Sequence, residues 1–358
     1  MVGIILYGSF ELAPYAKKYM NILESAKIPY ELIGWRREEE VRYRGENVHI
    51  YEGRAAKRYS SPLAKIMPAI GYRHYVKKLV KSKKYDNLII LTTQTALILC
   101  DILFTRYRKK FIFDYRDKSY EYIKPYGMLV NAVVKASEET VISSEWFKNN
   151  LTDKKDYILA HNFQENFLKY RKNKCEKKKE GEKISIGYIG ALRSFEYHAH
   201  LIDCFKNDSR FEFHTYGCGD DVERLREYSK NFENIYIHGV YREEDKYSII
   251  EKFDIMCYNY PYSYVNDGAV ANKYYDALIM KKPMFVNPET LLGAFIEREG
   301  LGVGVDEKSL DISGKIYGWY ENFNPETFAE KCDFYLDKYI AEDKLFYEKI
   351  KNTLEKKL

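Results

Sequence analysis

The chain has 358 residues, 46% of them hydrophobic and 31% charged, the balance of a soluble globular protein long enough for two domains, and it excludes a disordered or membrane-embedded one. A net charge of +5 is too small to make nucleic acid the expected partner. Six cysteines (Cys100, Cys175, Cys204, Cys218, Cys257, Cys332) are scattered without a C-x-x-C pair, which excludes a zinc or disulfide framework and fits a reducing cytoplasm.

In chain order, the opening Met1–Leu6 lacks a basic flank and reads as a strand, not a signal peptide. Short β-branched runs then follow: "GIIL", "YELIGW", "NVHIY", "NLIIL", "KFIFDY", "TVISS" and "DYILAHN". Between them lie segments of helical period, such as Leu12, Ala16, Tyr19, Leu23 and Ala26. The alternation predicts a parallel α/β sheet. The stretch 87–104 is apolar but broken by Thr92, Thr93, Gln94, Thr95 and Asp101, so it falls short of a membrane span.

From Arg54 to Lys84 there are ten basic residues and no acid. Arg73, Lys77 and Lys81 recur at i,i+4, a like-charge stripe that destabilises an isolated helix and suggests an anionic partner. The expectation is a surface helix over 62–84 facing an anionic membrane, with Ile66, Met67, Ile70, Tyr72 and Tyr75 inserting shallowly, which would place the protein at the inner face of the membrane. A solvated basic face is the plainer reading.

Residues 171–183 fall within "LKYRKNKCEKKKEGEK", a charged linker that cannot pack on a core. It separates a first domain, 1–170, from a second, 184–339, and a helix over about 340–358 is expected to pack back on the first. The second half restarts the alternation with "ISIGYIG", "FEFHTYG", "NIYIHG", "DIMCYNY", "PMFVN" and "LGVGV".

Its strand-to-helix turns are rich in glycine. Gly187 and Gly190 precede Arg193, Gly217 and Gly219 follow the next strand, and Gly239, Val240 and Tyr241 a third. Such turns admit anions at helix N-termini, although tight turns need glycine for steric reasons alone. In "VNDGAVANKYYD", Gly268 and small residues precede Lys273 and Asp276, suiting a diphosphate and a ribose diol. A local Lys273–Asp276 ion pair would explain the same spacing.

The run from "IGYIGALR" through "YGCGD" and "HGVYREED" to "ANKYYDALIMKKPMFV" resembles the donor-binding half of the family-4 glycosyltransferases, of the bacterial surface polysaccharide type. The resemblance is specific over 184–306 and generic before it. It implies the GT-B fold, α/β, with two Rossmann-like domains facing across a cleft. It further implies a metal-independent, retaining transfer of a sugar from a nucleotide-diphosphate sugar to a polysaccharide or lipid-linked acceptor, with no cofactor. Arg193 and Lys273 become diphosphate-binding cations, Asp276 the ribose contact, and Val240 with Tyr241 the base site. Gly268 stands where the family has its sugar-contacting acid, with Asp267 beside it. A nucleotide-sugar epimerase of the same fold and a non-catalytic subunit holding a partner transferase are the alternatives.

On the acceptor side the candidates are Gly8, Ser9, Gln94 and His161, with Asp114, Arg116 and Asp117 in "DYRD". Asp117 could act on the acceptor hydroxyl; a helix cap or a salt bridge with Arg116 would account for it equally. No D-x-D sequence occurs.

Overall fold

The computed structural model describes residues 1–36, 43, 45–53, 62–153, 156–192 and 194–356, with 62–65 as backbone alone. The chain divides into two compact units, 1–161 with 341–358, and 162–340. Each is built on one parallel sheet.

In the first unit the strands are β1 (Val2–Leu6), β2 (Tyr30–Trp35), β3 (Val48–Tyr51), β4 (Asn87–Leu91), β5 (Phe111–Tyr115), β6 (Glu139–Ile142) and β7 (Ile158–Leu159). The helices are α1 (Ala16–Ser25), α2 (Pro62–Lys83), α3 (Thr93–Ile98), α4 (Cys100–Phe104) and α5 (Lys124–Ala136). The sheet order is β3-β2-β1-β4-β5-β6-β7, so the direction of winding reverses between β1 and β4. Helix α1 starts only at Ala16, after Pro14, and Leu12 is left exposed instead of joining the buried face of Ala16, Tyr19 and Leu23.

The second unit repeats the plan with β8 (Ile184–Ile189), β9 (Phe211–Tyr216), β10 (Ile235–Gly239), β11 (Ile255–Tyr258), β12 (Met284–Val286) and β13 (Gly302–Gly304). Its helices are α6 (Phe195–Phe205), α7 (Val222–Ser229), α8 (Lys246–Glu251), α9 (Asn272–Ile279), α10 (Leu291–Arg298) and α11 (Ile312–Glu321). The order β10-β9-β8-β11-β12-β13 reverses between β8 and β11. In such sheets ligands bind outside the carboxyl ends of the strands at the reversal.

The last helix, α12 (Pro325–Glu355), begins in the second unit and ends in the first. Phe346, Ile350 and Leu354 are buried in one cluster with Val2, Ile4, Tyr19 and Leu23. The Phe346 ring meets Tyr19 edge-on at 5.5 Å. The units meet in sequence at His161–Asn162, ahead of the charged stretch 171–183, and that stretch is anchored in the second unit. Arg171 pairs with Asp333 at 2.7 Å and donates to Asp337, while Lys177 donates to the Glu321 carbonyl at 2.8 Å. Its charges therefore bind helices α11 and α12 rather than solvent alone.

Since Phe346 fills the first unit's core from the far end of the sequence, Phe346→Ala is expected to cost about 3–5 kcal/mol. Urea unfolding measures it, and a loss below about 1 kcal/mol would show that the helix end merely rests on the surface.

Candidate functional site: an unpartnered lysine at the sheet reversal

Helix α9 follows β11 through a loop, and its first turn is held by a side chain. The Tyr258 hydroxyl accepts the Ala271 N–H at 2.9 Å, the residue just before the helix. Lys273 then projects beside the ends of β8 and β11. Its Nζ lies 4.0 Å from the centroid of the Tyr188 ring, 4.6 Å from that of Tyr260 and 5.6 Å from that of Tyr258. Only 7% of the residue is exposed, and among the described residues Nζ has no hydrogen-bond partner. Cation–π contacts are worth up to about 2 kcal/mol when desolvated, whereas removing an ammonium from water costs several. The balance favours an anion at this point.

Lys273 and Asp276 are not paired with each other. Asp276, also buried, accepts from the Tyr247 hydroxyl at 2.6 Å and from Lys246 at 3.1 Å. Burial raises its pKa, opposed chiefly by Lys246. Tyr247 stacks on Phe167 at 4.1 Å and on Tyr170 at 5.0 Å. A ribose diol would meet a carboxylate already engaged on Oδ1, and the structure gives Asp276 a role in joining α9 to α8.

The glycine turns have a packing explanation. Gly190 N–H donates to the Tyr216 carbonyl at 3.0 Å, Leu192 N–H to Cys218 at 2.9 Å and Gly217 N–H to Gly239 at 2.7 Å. The three turns are thus zipped edge to edge. At Gly217 (φ +150°) a Cβ would fall 1.8 Å from the Gly190 carbonyl oxygen, and at Gly219 (φ +157°) 1.9 Å from that of Leu192. Gly190 adds a second reason, because its own Cβ would stand 3.3 Å from Lys273 Nζ.

The remaining donor-side candidates are spread around this point. Val240 is 79% exposed. Tyr241 meets Tyr216 edge-on at 6.4 Å, and its hydroxyl pKa is pushed up to about 12 by burial, then by Glu243 and Asp276. Asp267 accepts the Leu291 N–H at 3.0 Å, fastening its loop to the start of α10. Gly268 takes φ +75°. Arg193 lies outside the described residues.

The sequence reading overlooked the aromatic residues and His198. On α6, His198 presents its ring edge-on to Tyr188 at 4.9 Å. Its Nδ1 and the Thr215 hydroxyl are, like Lys273 Nζ, buried without a hydrogen-bond partner among the described residues, and Thr215 is the strand partner of Tyr188. Lys273 and His198 thus meet the same ring, and Thr215 lies next to Tyr188 in the sheet. The signal available was the count of 35 tyrosines, which composition alone cannot place.

In the first unit the site candidates are mostly satisfied. Arg116 pairs with Asp114 at 2.7 Å, not with Asp117, and donates to the Ala160 carbonyl at 3.1 Å. Tyr19 donates to Asp114 at 2.6 Å. Asp117, next along, is exposed, with its pKa raised by desolvation against the pull of Arg116. His161 Nε2 contacts Glu342 at 2.8 Å and its N–H donates to Asp343 at 3.1 Å. Lys18 also pairs with Asp343, so His161 belongs to the anchoring of α12. The Gly8 carbonyl accepts the Trp35 N–H at 2.8 Å, and the Ser9 hydroxyl donates to Glu11. Gln94 is exposed beside Thr92, whose φ of +75° is strained for a β-branched residue.

Helix α2 departs from expectation. Tyr72 is fully buried, donating to the Leu6 carbonyl at 2.7 Å, and so is unavailable to a membrane. Arg73 and Lys77 converge on Asp101 at 2.8 and 2.7 Å, which relieves the like-charge stripe from within the unit. Ile66, Met67 and Ile70 are exposed. Arg54, Lys57 and Arg58 lie outside the described residues. Among the described residues no helix is long and apolar enough to cross a membrane, and no three His, Cys, Asp or Glu side chains gather to hold a metal.

His198 is pushed down to about 4 from an ordinary 6.5, by burial first and then by Lys273. A histidine depressed in the fold lets the unfolded chain take the proton first, so stability present above pH 6.5 is lost as pH falls toward 4. Between pH 7 and pH 5 this amounts to about 2 kcal/mol. His198→Gln is expected to flatten the pH dependence of urea unfolding by that amount, and an unchanged difference between the two pH values would refute it.

No protein-family model matches the chain, and no curated protein matches it significantly. Solved structures do. Anabaena HepE in complex with UDP aligns with a TM-score of 0.70 at 11% identity, covering 98% of this chain and 100% of that one. Sucrose-phosphate synthase of Thermosynechococcus elongatus aligns at 0.67 with 9% identity, covering 98% of each chain. The lipopolysaccharide outer core galactosyltransferase WaaB aligns at 0.64 with 11% identity, covering 100% and 99%. At such identities the likeness is one of fold, and the fold of this chain is the α/β fold of two Rossmann-like domains shared by GT-B glycosyltransferases.

Proposed function

We propose that the chain is a glycosyltransferase that moves a sugar from a nucleotide-diphosphate sugar to a polysaccharide or lipid-linked oligosaccharide acceptor. The observation that carries this reading is the buried ammonium of Lys273 at the reversal of the second sheet, which has no hydrogen-bond partner among the described residues. An anion of a diphosphate supplies what that group lacks. The fold neighbour HepE was solved with UDP and with UDP-glucose, and this supports a nucleotide sugar as the ligand.

In this mechanism Lys273, with Arg193, holds the diphosphate and stabilises the negative charge that grows on it as the sugar–phosphate bond breaks, the term that dominates when leaving-group departure limits the rate. The charge comes from fixed cations, so the reading is of a metal-independent enzyme, and with the resemblance to family 4 it is of a retaining one. Asp117, exposed just past the end of β5, is a carboxylate placed to receive the acceptor's proton in this reading. The acceptor is membrane-borne in this reading. Exposed Ile66, Met67 and Ile70 on α2 would seat in an anionic surface, putting a cytoplasmic enzyme at the membrane's inner face.

Thermal shift against a panel of nucleotide sugars is expected to single out one donor, and that donor should be slowly hydrolysed without acceptor. Lys273→Ala should weaken nucleoside diphosphate binding roughly tenfold or more, since a charged hydrogen bond is lost, and leave nucleoside binding nearly unchanged. Wild-type diphosphate affinity in the variant would defeat the assignment. For the membrane, vesicle flotation should show binding to anionic but not neutral lipid, lost in Met67→Asp; equal binding to both lipids would exclude the surface.

A further inference from the structure

We infer that Tyr188 and Tyr260 are positioning residues, whose ring faces hold the Lys273 ammonium desolvated and aimed for an anion without neutralising it. The inference rests on the reading of Lys273 as an anion site and goes beyond it by naming what makes the site work. A buried lysine ordinarily meets a carboxylate. Here the acid one turn away, Asp276, is drawn off by Lys246 and Tyr247, and Lys273 meets rings at 4.0 and 4.6 Å instead.

The difference matters chemically. A carboxylate partner would occupy N–H donors and cancel the charge, so an incoming phosphate would have to displace it. A ring face attracts the cation through its quadrupole and accepts little by way of hydrogen bonds. Among the described residues no acceptor takes the donors of the ammonium, and no carboxylate cancels its charge. Ordering a lysine side chain costs up to about 2 kcal/mol in rotamer freedom, and here that cost falls on the fold instead of the ligand.

The rings are themselves fixed. The Tyr188 hydroxyl donates to the Ala191 carbonyl at 3.1 Å, and its ring is braced edge-on by His198. Tyr260 meets Tyr188 at 6.4 Å and Tyr258 at 5.4 Å, both near perpendicular. Tyr258, whose hydroxyl sets the start of α9, completes the box. Glycine at 190 keeps a side chain from the space next to Nζ. No single ring can shift alone.

Calorimetric titration with inorganic pyrophosphate tests this on the full chain. Tyr188→Phe and Tyr260→Phe keep the ring face and should bind within about twofold of wild type, whereas Tyr188→Leu and Tyr260→Leu should lose roughly three- to thirtyfold, the span of a desolvated cation–π contact. Should the leucine variants fail to fold by circular dichroism, phenylalanines of increasing fluorination at 188 keep the shape and drain the ring face of charge. Affinity is then expected to fall stepwise with fluorination, a readout that a merely structural ring would leave flat. Unchanged or tighter pyrophosphate binding in the leucine or fluorinated variants, with binding lost in Lys273→Met, would overturn the cage while sparing the anion site. Wild-type binding in Lys273→Met would overturn the anion site itself.

Discussion

A positive charge taken out of water calls for a partner, and the second unit takes out one, Lys273, whose ammonium meets no hydrogen-bond acceptor among the described residues. That constraint organises what surrounds it. Because the strand order reverses between β8 and β11, the ends of these two strands leave room beside each other, and Tyr188, Tyr258 and Tyr260 come from them. Helix α9 can deliver Lys273 into that room because Tyr258 fixes its first turn. The turns of Gly190 and Gly217 are zipped together beside it, where a Cβ at Gly217 would collide with the Gly190 carbonyl and one at Gly190 would crowd the ammonium.

The two units treat charge differently. At the end of β5 the buried Arg116 pairs with Asp114, Tyr19 donates to the same carboxylate, and Arg116 donates to the Ala160 carbonyl. On α9 the available acid is spent elsewhere. An exposed Lys273–Asp276 pair would be worth a few tenths of a kcal/mol, less than Asp276 gains from a lysine and a phenol together in a buried setting. The helix thus carries a closed ion pair toward α8 and an open cation toward the sheet edge. The separation of three residues that suggested a pair in the sequence instead sends the two groups to different neighbours.

Local pattern was enough to read the strands: each of the thirteen β-branched runs forms one, since period and turn residues are short-range properties. What depends on distant partners was not legible. The glycine turns suit an anion or a tight turn, and the close approach of one turn's carbonyl to the next gives Gly217 and Gly219 a packing reason, a relation between β8 and β9 that no window of sequence displays. Similarly, the basic stripe on α2 looked unpartnered because Asp101 lies on α4, and His161 looked free because Glu342 and Asp343 come from the last helix. The charged stretch 171–183 read as a solvated linker because its anchors, Asp333 and Asp337, are far along the chain. Lys273 was legible as a candidate because it opens a helix after a small-residue loop; the tyrosines around it come from two separate places, the ends of β8 and β11, and were invisible as a group.

The energetics of the caged lysine also bear on whether the second unit holds a ligand at all. Replacing a buried ion by an apolar residue of similar size is often neutral or stabilising, and single substitutions that raise stability are easily reached. A methionine at 273, packed among three phenol rings, would carry no charge to desolvate and would still pack against rings. Stability alone therefore gives no reason for an ammonium here, nor for a His198 whose Nδ1, beside the same ring, has no hydrogen-bond partner among the described residues. Both become explicable when an anion completes the site, because it returns to the ammonium the interactions it lost on leaving water. On the reading proposed above, an enzyme that must bind a diphosphate tightly as its charge develops has a use for that arrangement.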